Sequence, residues 1–343
     1  MSLMELLKAC GIQSALIVDD VCDLVPTAAD IGEANEAWPS FNDDLTAEQR
    51  ADITAEYAPA AARRFDELIT DDGYVAALWR LRDTLGETVA QVFETYIGDQ
   101  ATDEKYVRLA RAKLEAVGLV CKTAGRVFAT EALGVDLILI DLFLGNAQDP
   151  ASLAESKERL RKALEPRADN PPLVILMSRS PRIEAKRDEF RDDVGLIDSA
   201  FRIIKKSDLE ENDRLERQLE RLAENAGDSR DLARFFHALD VGLAAATRRT
   251  LNLLRKLKLS DIGQIRQLLL SAEGEPTGSY LVDVFDRVLQ HEIEGETGII
   301  DAAIALNTFS VVRHPPPYVA GSAELQDLVQ RLLMWIGVEK GPR

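Results

Sequence analysis

Histidine, cysteine and long apolar runs are all scarce in this chain of 343 residues. The three histidines, His237, His291 and His314, form no ligand spacing, so a histidine metal site is not expected. Cys10, Cys22 and Cys121 are odd in number and make no CxxC pair, which excludes a disulfide frame or a thiolate zinc site and points to reduced thiols. The start MSLMELLKAC has neither a basic region nor a long apolar stretch after it, so a signal peptide is not expected. No run of 18 apolar residues occurs, and the most apolar window is interrupted by Asp141. A cytoplasmic location is the expectation. Positive charge is also short: 41 Lys and Arg stand against 59 Asp and Glu, a net charge of −18. That balance argues against non-specific binding to nucleic acid or to an anionic membrane.

What the chain does have is a hydrophobic content of 46% and a charged content of 29%, enough for a substantial core in one large or two ordinary domains. Four apolar segments stand out: ALIVDD (Ala15 to Asp20), DLILIDLFLG (Asp136 to Gly145), PLVILMS (Pro172 to Ser178) and FRIIKKS (Phe201 to Ser207). Each is short enough for a buried strand and ends on a polar residue. Buried parallel strands read as continuous hydrophobic runs, and the chemistry of open α/β sheets sits at the strands' carboxyl ends. One sheet would therefore gather an acidic pair, a lone Asp, a hydroxyl and a lysine into one cleft.

Between these segments the pattern alternates. Helices are expected from about Thr102 to Val117, around Arg126 to Leu133, from Leu153 to Leu164 and near Arg182 to Asp193, with a further strand at Leu119 to Lys122. Such alternation predicts a five-stranded, doubly wound parallel sheet of flavodoxin-like topology. Residues 21–101 interrupt it. Thr46-Ala47-Glu48-Gln49 has capping-box spacing and Asp71-Asp72-Gly73 marks a break, so a helical hairpin of Thr46 to Thr70 and Tyr74 to Tyr96 is expected there. From Leu209 onward only helical signals occur, at about Leu209 to Glu224, Asp231 to Lys256, Asp261 to Ser271, Ser279 to Ile293, Ile299 to Phe309 and Glu324 to Ile336. The expected organisation is a sheet domain over 1–225, interrupted by the insert 21–101, and an all-α domain over 226–343.

An acidic pair with a third carboxylate is the donor set of a hard divalent cation, because Mg²⁺ takes oxygen ligands and keeps several waters. A neighbouring hydroxyl and ammonium would hold the remaining oxygens of a phosphoryl group. That combination suits phosphoryl transfer with one carboxylate as the in-line nucleophile.

In this order the motifs resemble the receiver domain of bacterial two-component response regulators, over residues 12–20 and about 102–225, roughly two-fifths of the chain. The resemblance implies a flavodoxin-like fold and a Mg²⁺-dependent phosphoacceptor. Asp20 would ligate the metal directly and Asp19 through water. Asp141 would be ligand and phosphoacceptor, and the Phe143 carbonyl a further ligand. Ser178 would be the switch hydroxyl, Lys206 the phosphoryl-pairing lysine with Lys205 as the alternative, and Phe201 the switch aromatic. The implied partners are a sensor histidine kinase or phosphotransfer protein and an output protein the sequence does not name. Neither nucleic acid nor membrane is expected as a partner, and a homodimer is compatible with the reading.

The chain departs from the family pattern in three places. The acidic pair and the acceptor are much further apart than usual, Gly145 stands where a proline is usual, and Phe201 is one residue too far from Lys206. Two other classes match parts of the sequence. Arg248, Arg249, Arg255, Lys256 and Lys258 before LSDIGQIRQLLL could form a DNA-binding helix-turn-helix, but cations at a helix carboxyl end are also favoured by the macrodipole. An Asp-nucleophile phosphohydrolase would ordinarily carry a second Asp two residues after the first, where Phe143 stands. His237, in FFHALDVGLAAA, reads as an ordinary helix residue, and no separate enzymatic domain is recognised.

Overall fold

Five apolar runs form the strands β1 (Ser14–Val18), β2 (Val120–Ala124), β3 (Leu137–Asp141), β4 (Leu173–Ser178) and β5 (Phe201–Lys205) of a single parallel sheet. The computed structural model describes residues 1–145, 150–211, 213–267, 276–310, 312–314 and 321–338, with side chains as far as 331 in the last stretch. The strand order is β2-β1-β3-β4-β5, an arrangement compatible with a flavodoxin-like fold. Connections from β1 and β3 run outward in opposite directions, so the switch point of this topology lies between the carboxyl ends of those two strands.

Successive side chains of a strand face opposite ways, and here both faces are covered. Ala15, Ile17, Leu137, Leu139, Ile175 and Met177 pack one way, against helices Leu3–Ala9, Glu87–Ala116 and Arg214–Leu254. Leu16, Val18, Ile138, Ile140, Val174 and Leu176 pack the other way, against Ala129–Ala132, Pro150–Leu164 and Ile183–Val194. The continuous hydrophobicity of β3 and β4 follows from this double burial, whereas the outer strand β2 is largely exposed. The helix Leu3–Ala9 was not expected from the sequence; Ser2 and Glu5 close a capping box at its start.

The insert is not a helical hairpin. Six short helices, Ala28–Ile31, Ala37–Asp44, Ala47–Glu56, Phe65–Leu68, Asp72–Arg80 and Arg82–Leu85, surround a separate core of Trp38, Phe41, Tyr74, Val75, Leu78, Val89, Val92 and Phe93. The expected first long helix is broken at Tyr57 to Arg64, where Pro59 opens a 3₁₀ turn. Asp71 caps Asp72–Arg80 by accepting from Gly73 N and Tyr74 N, and Gly86, at a φ of 61°, turns the chain into the next helix. That helix, Glu87–Ala116, runs through the expected boundary at residue 101. Its stripe of Val89, Val92, Phe93 and Tyr96 serves the insert, and Val107, Ala110 and Leu114 on the same stripe serve the sheet.

The expected break after Glu224 is likewise absent. Arg214–Leu254 is one helix of 41 residues, about 60 Å long, that begins on the sheet and continues into the carboxyl-terminal helices. There it packs against Thr277–Glu294 and Thr297–Leu306, with Gly242 meeting Ile299 so closely that an added Cβ would lie 2.5 Å from its Cδ1. Helix Leu259–Ile265 covers the start of the segment expected from Asp261; its later residues, together with Gly274, Glu275 and the run Pro315 to Pro317, lie outside the described residues. Among the described residues no helix is long and apolar enough to cross a membrane.

Phe201 corrects the switch-aromatic expectation. It opens β5 rather than closing it, is fully buried, and stacks on Phe190 with ring centroids 6.1 Å apart. Phe201→Ala should therefore act through the core, costing about 3–5 kcal/mol in urea unfolding. A loss below about 1 kcal/mol would contradict this placement.

Candidate functional site

Lys206, the first residue after β5, extends its ammonium across the carboxyl edge of the sheet. Nζ lies 2.6 Å from Asp141 Oδ2, 2.7 Å from Asp19 Oδ2 and 2.9 Å from Asp103 Oδ1, and the side chain is 1% exposed. An ammonium has three N–H donors, and each has a carboxylate here. Burial alone would discharge the lysine, but Asp141, Asp19 and Asp103 outweigh it and hold its pKa above the ordinary range. Lys205 is the residue paired in register with Ser178, and its side chain faces a different pocket, beside Arg202 and Asp208.

Asp19 follows β1 directly and is completely buried. Its Oδ1 accepts from Val21 N at 3.2 Å, capping the 3₁₀ turn Asp20–Cys22, while its Oδ2 takes Lys206. Asp141 closes β3 beside Met177 of β4, and its Oδ1 accepts weakly from Phe143 N at 3.4 Å. Ser178 is one residue further along β4, 1% exposed, with Oγ accepting from Ser180 N. Phe143 packs its ring partly into the second core layer.

Asp20 turns toward Arg126. That guanidinium is the second organising cation: Nε donates to Leu144 O, Nη1 to Asp23 Oδ2, and Nη2 reaches both Asp20 Oδ2 and Asp30 Oδ1. Arg126 thereby joins the acidic turn after β1, the insert helix Ala28–Ile31 and the loop after β3. Gly125 makes room for the Asp23 carboxylate, since a Cβ there would fall 1.7 Å from Asp23 Oδ1.

The oxygens of Asp19, Asp20 and Asp141 lie within 4.8 Å of one another. Carboxylates this close repel, and burial compounds the effect. Asp19 is pushed up to about 7 by burial and by Asp141, against the pull of Lys206. Asp20 is pushed up to about 7 by burial and by Asp19, against Arg126. Asp141 is raised as well, again by burial first. Oxygen donors so arranged fit a hard divalent cation, which would relieve that repulsion. Cys22, nearby, is pushed up to about 12 by burial and by Asp19, so its thiol stays protonated and unreactive at neutral pH.

The residues not anticipated are Asp103, Arg126, Asp23, Asp30 and Arg179. Asp103 had a legible signal: it sits on the buried stripe of Glu87–Ala116, seven residues after Tyr96 and four before Val107, where an apolar residue would otherwise be expected. Arg126 had none beyond following a glycine. No family model matches the chain, and no curated protein or solved structure is significantly similar to it.

The raised carboxylates carry a pH signature. A native pKa of about 7 against an ordinary 3.8 means the folded protein holds the proton more tightly, so the contribution of Asp20 to stability falls as pH rises from about 4 to about 7. Asn cannot ionise. With chelator present, Asp20→Asn should match wild type near pH 4 and exceed it by on the order of 4 kcal/mol at pH 8. Urea melts showing a constant difference across that range would refute the electrostatic account.

Proposed function

We propose that the protein is a receiver-type phosphoacceptor in two-component signal transduction, with Asp141 as the phosphorylated residue. The carrying observation is the Lys206 ammonium, which bridges Asp141 and Asp19 from three different strand ends at the β1/β3 switch point. A lysine held at 2.6 Å from the nucleophile's carboxylate is positioned to meet the charge of an incoming phosphoryl group.

In the proposed reaction an Asp141 Oδ lone pair forms the new O–P bond in line with the bond that breaks. From acetyl phosphate the P–O bond breaks and acetate leaves with the electron pair. From a kinase phosphohistidine the P–N bond breaks, and an imidazole protonated on its other ring nitrogen leaves neutral. Asp19, Asp20 and Asp141 would hold Mg²⁺, with the Phe143 carbonyl as a further ligand. The metal would neutralise charge on the transferring group. Ser178 keeps its hydroxyl hydrogen for a phosphoryl oxygen, because its Oγ accepts from Ser180 N.

The donor would be a sensor histidine kinase or a phosphotransfer protein, and the product a signal rather than a turnover. The carboxyl-terminal helices are read as a protein-contact module. Arg249, in the basic stretch, is already paired with Glu292 and Glu296, which weakens the case for a DNA-reading face. Phe143 lacks the carboxylate a phosphohydrolase would ordinarily have at that position.

Incubation with acetyl phosphate and Mg²⁺ should raise the intact mass by one phosphoryl group, and Asp141→Asn should abolish the gain. Persistence of the modification in Asp141→Asn would overturn the assignment. The lifetime of the phosphoprotein is a second expectation. Phe143 can exclude a hydrolytic water but has no side-chain atom to orient one. Phe143→Asn should shorten the half-life of the phosphoprotein, by roughly tenfold if one oriented water is gained; equal decay of the two proteins would remove the shielding role.

A further inference from the structure

Asp103 does more than complete the shell of Lys206. Its Oδ1 receives Lys206 Nζ at 2.9 Å and its Oδ2 faces Arg179 Nη2 at 3.2 Å, so one carboxylate tethers two cations of opposite accessibility. Lys206 is 1% exposed and Arg179 is 38% exposed. Arg179 directly follows Ser178, and the β3–β4 register places it two residues beyond the strand partner of Asp141, a rise of roughly 7 Å. It is the solvent-facing cation of this group.

A phosphoryl group on Asp141 brings three terminal oxygens into a pocket where Lys206 already serves three carboxylates. Ser178 can supply one hydroxyl hydrogen. Among the described residues the guanidinium of Arg179 engages only Asp103, which leaves most of its five N–H donors available. From these positions we propose, resting on the phosphoacceptor reading, that Arg179 is a second phosphoryl-binding residue, held at the mouth of the pocket by Asp103. It takes the dianionic oxygens of the phosphoryl donor as it enters and of phospho-Asp141 after transfer. Planar guanidinium geometry suits two oxygens of one phosphoryl group at once. The bland alternative is a half-exposed ion pair that merely ties the β4 loop to helix Glu87–Ala116, and such pairs contribute little to stability.

The two roles separate in the full-length protein. Phosphorylation by acetyl phosphate in Mg²⁺ buffer, followed by intact mass, gives the second-order rate constant for wild type, Arg179→Ala and Arg179→Lys. Calorimetric titration gives Mg²⁺ affinity for the same proteins. The expected result is a loss of roughly tenfold in rate for Arg179→Ala, partly recovered in Arg179→Lys, with Mg²⁺ affinity within about twofold throughout. The inference is overturned if Arg179→Ala reacts at the wild-type rate, if Lys recovers nothing, or if Mg²⁺ affinity falls in step with the rate. Wild-type protein that takes no phosphoryl group on Asp141 would instead overturn the phosphoacceptor reading, and the inference with it.

Discussion

A single buried ammonium holds the carboxyl edge of the sheet together. Without Lys206, the buried carboxylates of Asp19 and Asp141 and the half-buried one of Asp103 would have no common counter-charge, a far costlier arrangement than burying the same volume of hydrocarbon. Removing one partner from such a cluster leaves an uncompensated charge, whereas the intact cluster satisfies every N–H of the lysine. The same electrostatics that make this edge expensive also leave it short of positive charge, so a divalent cation would be a natural complement to the oxygens of Asp19, Asp20 and Asp141.

Arg126 extends that logic to the insert. Its contacts to Asp20, Asp23, Asp30 and the Leu144 carbonyl mean that the loop after the proposed acceptor, the acidic turn and the first insert helix share one guanidinium. The insert has its own aromatic core, yet it is joined to the sheet by the continuous helix Glu87–Ala116, whose buried stripe crosses from one core to the other. Arg214–Leu254 is likewise continuous at the other end of the fold. Glu87–Ala116 keeps one buried stripe in phase on both sides of residue 101, whereas Arg214–Leu254 buries Leu215, Leu219, Leu222, Ala226 and Ala233 on one side and Gly242, Ala246 and Thr250 on the opposite side, so each helix carries its packing through the expected boundary.

The strand runs and their terminal residues were readable because double burial demands continuous apolar segments, and because a polar residue ending such a segment is conspicuous. The helices that run through residues 101 and 225 are not legible in the sequence, for the opposite reason. Gly98 within IGDQAT and Gly227 within ENAGDS resemble breaks, but an isolated glycine costs only about 1 kcal/mol in a helix that is packed along its length. Pro59 and the cap at Asp71 had the reverse effect on the insert, dividing what periodicity alone joins.

The linear order of residues by itself determined a parallel sheet, the acidic pair, Asp141, Ser178 and a lysine after the fifth strand, since each is set by burial and by strand period. Tertiary structure alone decided which lysine turns inward, because the strand alternation sends Lys205 and Lys206 to different surroundings. It also decided that Asp103 and Arg126 join the cluster across 103 and 106 positions of chain from Lys206 and Asp20, and that Phe201 belongs to the core. Ion pairing acts over a few ångströms of space and is blind to separation along the chain, so only the folded backbone could bring those charges together.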